Sequence, residues 1–92
     1  SFVVTLGEVD DPASFTAHVE RIIRDHDILR LKGFLAVTGK PMRMTLQAVG
    51  PRIETYYDEI ARDRSSRLVV IGQAGLDQAA ITEALSAAPV PA

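Results

Sequence analysis

The sequence predicts an α+β two-layer sandwich, with two helices on one face of a mixed, mostly antiparallel sheet and the other face open. Three observations lead to this fold class. The segments follow the order strand, helix, strand, strand, bent extension, strand, helix. A helix joins only the first two strands, so hairpins or loops connect the others. Each helical segment has a single apolar stripe, and two such helices cover one face of a sheet.

The first two elements are a strand over residues 2–9 and a helix that begins at Pro12. The strand is predicted from its density of apolar and β-branched residues. Asp11 suits the N-cap, and Pro12 suits the first helical position, where the N–H that proline lacks would be unpaired anyway. The residues of the apolar stripe recur with helical spacing and are Phe15, Val19, Ile22, Ile23 and His26.

A hairpin is predicted next, from a strand over residues 28–38 and another over residues 42–49. Gly39 lies in the connection between them and can adopt the positive φ that hairpin turns require. Alternation along both strands separates a core face, which includes Leu29 and Leu31, from a solvent face. The side chains expected on the open face are those of Arg30, Lys32, Arg43, Thr45 and Gln47.

The pattern leaves residues 52–60 open between strand and helix. Gly50 and Pro51 favour a sharp bend with the strand continuing beyond it, because proline belongs at an edge, bulge or bend. A strand would place alternate residues on one face, namely Ile53, Thr55 and Tyr57. A helical period also fits four residues, namely Ile53, Tyr56, Tyr57 and Ile60.

The chain ends with a short strand over residues 68–71 and a second helix capped by Asp77. The strand is continuously apolar, which predicts burial on both sides if it is central in the sheet. Leu76 and Ile81 are spaced as a hydrophobic staple across the start of the helix. We assign residues 1–88 to a single domain taken from a longer chain, and residues 89–92 to a flexible tail.

Composition limits the classes of function. Of the 92 residues 47% are hydrophobic, which is enough for the core of one small domain, and the absence of Cys excludes disulfides and thiolate ligands. No apolar run approaches the ~20 residues of a membrane helix. The net charge of −2 argues against nucleic-acid binding by the domain as a whole. Residues 28–52, called the basic strip below, nevertheless carry five basic side chains and no acidic one.

No motif predicts catalysis, a cofactor site or a metal site within this chain. Gly39-Lys40 lacks the glycine spacing and the following Ser or Thr of a phosphate-binding loop, which favours a hairpin turn. Residues 72–77 precede a helix, but their final aspartate occupies the place where an anion would bind. His18 and His26 are eight positions apart on one helix, ~12 Å, too far to share a metal.

A recognisable family pattern occurs in residues 29–34, 39–43, 47–50, 67–72 and 75–77, together with Arg52 and Tyr56-Tyr57-Asp58. Through these residues the chain resembles the C-terminal domain of the CobW family over residues 2–88. Proteins of that family are P-loop GTPases that handle metals, and the CobW branch is linked to cobalt delivery in cobalamin biosynthesis. The C-terminal domain is not the part that hydrolyses GTP.

The resemblance implies an accessory and interaction domain of a cytoplasmic, GTP-dependent metallochaperone. GTP, Mg²⁺ and Co²⁺ would bind the missing N-terminal GTPase domain, so the fragment itself would be neither an enzyme nor a cofactor carrier. The domain would dock on that GTPase domain or on a recipient such as a cobaltochelatase. The candidate docking residues are Arg30, Lys32, Phe34, Arg43, Gln47 and Arg52. The alternative is an independent anion- or RNA-binding module that uses the same open face.

Overall fold

The helices and strands occur in the predicted order. The computed structural model describes residues 1–87; Ala88 and the predicted tail, residues 89–92, lie outside the described part. The elements are β1 (Phe2–Leu6), α1 (Pro12–His26), β2 (Arg30–Ala36), β3 (Met42–Val49), β4 (Arg52–Ile60), β5 (Ser66–Ile71) and α2 (Gln78–Ser86). The five strands form one sheet in the order β1-β5-β2-β3-β4. The predicted α+β fold class is therefore confirmed.

All four pairs of neighbouring strands are antiparallel. β5 comes late in the chain and lies between β1 and β2, so these two strands run parallel without pairing along their length. α1 crosses from β1 to β2, which is a split βαβ arrangement. Among residues 1–87 the parallel pairing is confined to one isolated bridge between Val9 and Val37.

Both helices pack against the same face of the sheet, as predicted. The sheet contributes fully buried side chains at alternate strand positions, namely Leu31, Leu35, Leu46, Leu68 and Val70. The helices contribute Phe15, Val19, Ile22, Ile23, Ile81 and Leu85 to the same cluster. His26, also predicted on the apolar stripe of α1, is only half-buried because it lies in the last turn. The opposite face of the sheet receives no helix from the described part of the chain.

The predicted N-caps of both helices are confirmed. Asp11 directly precedes Pro12, and its carboxylate accepts a hydrogen bond from the backbone N–H of Ser14 (3.1 Å). The backbone N–H and the hydroxyl of Ser14 together lower the pKa of Asp11. The Asp77 carboxylate accepts from the backbone N–H of Ala80 (3.0 Å). In each case a carboxylate satisfies one N–H that the helix itself leaves unpaired.

Residues 52–60 form a strand, and the helical alternative is wrong. β4 pairs antiparallel with β3 over its whole length, and Gly50 and Pro51 are the two-residue loop of a hairpin. The chain therefore reverses direction where a bend was predicted. Gly50 has a φ of 56°, and the next residue, Pro51, is held at negative φ by its own ring. A type II′ turn uses this combination. β4 is the edge strand of the sheet, which explains its exposed tyrosines.

Three predicted details of the strands are corrected. The first strand ends at Leu6 and not at residue 9, because the chain must turn into α1. Leu29 was predicted to face inward but is 47% exposed. It precedes β2, and its backbone forms hydrogen bonds at the ends of β5 and β3. β5 is central as expected, but Val69 and Ile71 are only half-buried because they lie on the open face.

β2 and β5 approach each other closely at Gly33. A Cβ atom on residue 33 would lie 1.9 Å from the carbonyl oxygen of Arg67 and 2.9 Å from the Cα of Leu68. Both are backbone atoms of the paired strand, so they cannot move aside without disturbing the strand pairing. The sheet therefore requires glycine at this position.

We expect Gly33→Ala to lower the free energy of unfolding by about 2 kcal/mol or more, because the added methyl group overpacks a backbone contact. Urea denaturation followed by circular dichroism measures this change. Gly7→Ala is the matched control, because a Cβ there would meet nothing within 4 Å. The control should stay within about 0.5 kcal/mol of the unchanged chain. Equal stability of the two variants would contradict the close approach of β2 and β5.

Candidate functional site

The side chains that point away from the helices form rows across the open face. Strand register defines these rows, because residues paired across strands point to the same side of the sheet. The first row consists of Thr5, Arg67, Phe34, Thr45 and Tyr56. The second consists of Val3, Val69, Lys32, Gln47 and Glu54. The third consists of Ile71, Arg30, Val49 and Arg52.

The structure brings all six candidate docking residues to this face. Phe34 is in the first row, and Lys32 and Gln47 are directly opposite each other in the second. Two further cations, Arg30 and Arg52, share the third row. The sixth residue, Arg43, lies one step beyond the first row.

Lys40, the remaining base of the basic strip, lies apart from the open face. Its ammonium nitrogen is 5.0 Å from the centroid of the Tyr57 ring. Tyr57 pairs with Met44, which is buried against the helices, so this tyrosine belongs to the other face of the sheet. The two lysines of the chain therefore lie on different faces of the sheet.

Arg43, one of the candidate docking residues, is paired within the chain. Its Nε lies 3.4 Å from Oδ1 of Asp58, and its Nη2 lies 3.3 Å from Oε2 of Glu59. Both acids reach it because a register shift in β4 sets two residues against one. The guanidinium carbon is also 4.7 Å from the centroid of the Phe34 ring, a cation–π distance.

Hydrogen bonds extend this network along β3 and β4. The Thr45 hydroxyl donates to Asp58 (2.9 Å), and the Gln47 amide donates to the Tyr56 hydroxyl oxygen (3.1 Å). Partial burial by itself would raise the pKa of Asp58. Hydrogen bonds from Thr45 and Arg43 and the positive charge of Arg43 have a larger, opposite effect. The pKa of Asp58 is therefore lowered, and the carboxylate stays ionised beside Arg43.

The other cations of the open face have no acidic partner among residues 1–87. Within residues 1–87, side-chain ion pairs are made by Arg24, Arg43 and Arg64. In that part of the chain no carboxylate oxygen lies within 4.0 Å of the four remaining cations of the face, which are Arg30, Lys32, Arg52 and Arg67. Their charge is thus available to a ligand, whereas that of Arg43 is largely compensated.

Arg67 and Tyr56 are among the residues of the face that were not predicted from the sequence. Arg67 precedes the apolar run from which the fifth strand was recognised, and only the pairing of Arg67 with Phe34 shows that it is a neighbour of β2. Tyr56 was assigned no face, because the strand and helix alternatives placed it differently. The alternation of β4 would have been a sufficient signal for Tyr56, whereas Arg67 needed the strand order.

A shallow groove of ≈ 310 Å³ runs across the first and second rows. Its lining combines aromatic, apolar, cationic and amide side chains, including Lys32, Phe34, Gln47, Tyr56, Arg67 and Val69. Such a lining suits binding through charge and surface contact. No histidine is among its lining residues, so it holds no nucleophile paired with a histidine base.

A larger groove of ≈ 570 Å³ lies between the end of β1, the start of α1 and the end of α2. Glu8, Asp10 and Asp11 line its rim, and Asp11 is already engaged as a helix cap. The groove borders Ala87, where the described part of the chain ends. It contains none of the predicted docking residues.

The histidines and carboxylates of residues 1–87 form no metal site. No group of three or more His, Asp or Glu side chains is arranged there to hold a metal ion. The His18 imidazole is a hydrogen-bond partner of the Ala84 carbonyl (2.7 Å) and so ties α1 to α2. No helix in the same range is both long and apolar enough to cross a bilayer.

Comparisons with known sequences point to one family. The model of the cobalamin synthesis protein cobW C-terminal domain matches residues 1–88. A zinc chaperone CobW from Sinorhizobium sp is 51% identical over 90 residues, which is 95% of this chain and 25% of that protein. A zinc chaperone CobW from Pseudomonas aeruginosa is 52% identical over 91 residues, which is 96% of this chain and 24% of that protein. The chain thus spans about a quarter of the length of these curated relatives.

Solved structures show the same fold. The Zn(II)-bound YjiA GTPase from E. coli superposes with a TM-score of 0.68 and 26% identity, covering 90% of this chain and 27% of that protein. A Zn(II)-bound triple mutant of YjiA gives the same values. The sheet and helices described above therefore correspond to about a quarter of the length of YjiA.

We expect Asp58→Asn to be less stable than the unchanged chain at neutral pH but not in acid. A carboxyl with a lowered pKa in the folded state contributes stability above its unfolded pKa. That contribution is lost as the pH falls through the folded pKa, so the two midpoint temperatures should converge between about pH 5 and pH 2.

Thermal unfolding followed by circular dichroism at several pH values measures this convergence. Asp25→Asn, on the exposed side of α1, controls for the loss of one negative charge. A difference between Asp58→Asn and the unchanged chain that persists undiminished in acid would contradict the role given to the Arg43–Asp58 pair.

Proposed function

The chain belongs to the CobW C-terminal domain family, and we propose that it is the accessory and interaction domain of a GTP-dependent metallochaperone. The observation that carries this proposal is the 51–52% identity to two zinc chaperones over nearly the whole chain. Because the chain spans a quarter of those proteins, GTP binding and hydrolysis would belong to an N-terminal GTPase domain of the same polypeptide. The likeness to a solved GTPase supports this arrangement.

The delivered metal in this proposal is Zn²⁺ or Co²⁺, and Zn²⁺ is the first to test. Both curated relatives are named zinc chaperones, and both solved relatives are Zn(II)-bound. Cobalt delivery in cobalamin biosynthesis rests on the family resemblance alone. The recipient would be a zinc-dependent protein in the first case and a cobaltochelatase in the second, and the transfer would take place in the cytoplasm. GTP, Mg²⁺ and the delivered metal would bind outside this chain.

The open face is the docking surface in this proposal. Its cations Arg30, Lys32 and Arg52 have no acidic partner among residues 1–87, and charged contacts guide association and set the orientation of a partner. Phe34 and Gln47 lie among them and would make the shorter-range contacts. The partner would be the GTPase domain, whose nucleotide state the domain would relay, or the recipient protein.

Deletion of this domain from the full-length protein should abolish metal transfer to the recipient. GTP hydrolysis and metal affinity should stay near their original values, because this chain lacks a phosphate-binding loop. The three quantities are measured by phosphate release, by titration against a chromophoric chelator and by activation of the recipient apoprotein. Each is measured with Zn²⁺ and with Co²⁺.

Point variants of the full-length protein separate docking from loss of a folded domain. Lys32→Glu reverses a charge on the open face, and Lys40→Glu makes the same change on the other side of the sheet. Transfer should fall with Lys32→Glu and persist with Lys40→Glu. Transfer that survives deletion of the whole domain would contradict the proposal. Collapse of GTP hydrolysis on deletion would instead make the domain part of the nucleotide switch.

A further inference from the structure

The open face has two halves that differ in how much charge they leave unused. On the half formed by β3 and β4, Arg43 is held by Asp58 and Glu59. Arg52 has no acidic partner among residues 1–87, but it shares this half with the carboxylate of Glu54 as well. On the half formed by β5 and β2, the cations have no acidic partner within the described residues. These cations are Arg30, Lys32 and Arg67. A negatively charged ligand is therefore favoured over β5 and β2 and opposed over β4.

Apolar surface lies beside these free cations. Val3, on the neighbouring edge strand, is 53% exposed, and its partner across the sheet is the half-buried Val69. Val69 is in turn directly opposite Lys32. This half of the face thus has an aliphatic surface next to positive charge. The long Lys and Arg side chains can cover apolar surface while their charged ends reach a carboxylate.

We propose that the β5–β2 half of the open face binds an extended acidic segment of a separate recipient protein. This inference rests on the proposed function and adds the chemistry of the partner. Arg30 and Lys32 are alternate residues of one strand, so their side chains emerge about 6.6 Å apart. Carboxylates at alternate positions of an extended segment have the same spacing. An aliphatic side chain of the segment would then contact Val3 and Val69.

A protein ligand fits this face better than RNA does. Single-stranded nucleic acid binds by stacking bases on exposed aromatic rings, but the Phe34 ring already has the Arg43 guanidinium over it. The Tyr56 hydroxyl is bonded to Gln47. Glu54 shares the face, and Asp58 and Glu59 border it, so phosphates would meet three carboxylates along β4. A short acidic segment can stay on β5 and β2 and avoid them.

The charged character of the face also favours a partner that leaves again. Permanent interfaces bury mainly apolar surface, whereas transient ones are more polar and rely on charge for fast association. Val3 and Val69 offer a small apolar contact among several charges. Delivery of a metal requires release of the recipient, which agrees with a contact of this kind.

The test is a binding titration of the 92-residue chain with a labelled, end-capped peptide that alternates glutamate and leucine, followed by fluorescence anisotropy. Lys32→Glu with Arg67→Glu should weaken binding by about tenfold or more, a difference that corresponds to ~1.4 kcal/mol. Arg21→Glu with Arg24→Glu makes the same net change of charge on the exposed side of α1 and should weaken binding by about twofold or less. Circular dichroism checks that both variants remain folded.

Four outcomes would overturn the inference. Equal weakening by the two double variants would mean that only net charge matters. Tighter binding of an oligouridylate than of the acidic peptide would identify a nucleic-acid surface. Binding by the 92-residue chain that is absent in the full-length protein would mean that the rest of the polypeptide covers the face. Loss of the peptide interaction with metal transfer intact would refute this inference and leave the proposed function standing.

Discussion

The position of both helices on one side of a five-stranded sheet is the constraint on which the rest of this structure depends. Strand side chains alternate between the two sides, so covering one side commits alternate residues to the core and the others to solvent. Leu31 and Leu35 lie under the helices, and Lys32 between them faces away. A surface of three rows of side chains, spread over all five strands, follows directly from the chain having two helices with one apolar stripe each.

The edge strand β4 modifies that surface through a local irregularity. Its bulge sets Asp58 and Glu59 against Arg43, and the Thr45 hydroxyl also donates to Asp58. An isolated ion pair at a surface contributes little, but a connected network holds its members in defined positions. The result is a face that is closed by its own contacts on one half and open to a charged partner on the other. Selectivity for acidic ligands would arise from this division.

Local patterns predicted most of the fold. Asp11 with Pro12 and Asp77 define helix starts through short-range hydrogen bonds, and alternation in β2 and β3 placed five of the six candidate docking residues on one side. The missing parts depend on long-range pairing. Arg67 joins the face because β5 inserts between β1 and β2, and Arg43 is neutralised because of one extra residue in β4. Neither the strand order nor the register shift has a signature within a few residues of sequence.

The central claim is that the open face, and not the helical side, meets the recipient. Lysine acylation of the full-length protein, with and without its recipient and read by mass spectrometry, tests this claim because the domain has two lysines, at positions 32 and 40. Lys32 lies on the open face, and Lys40 lies over Tyr57 on the other. The account predicts that the recipient slows acylation of Lys32 and leaves Lys40 unchanged. Protection of Lys40 with Lys32 still fully reactive would contradict it.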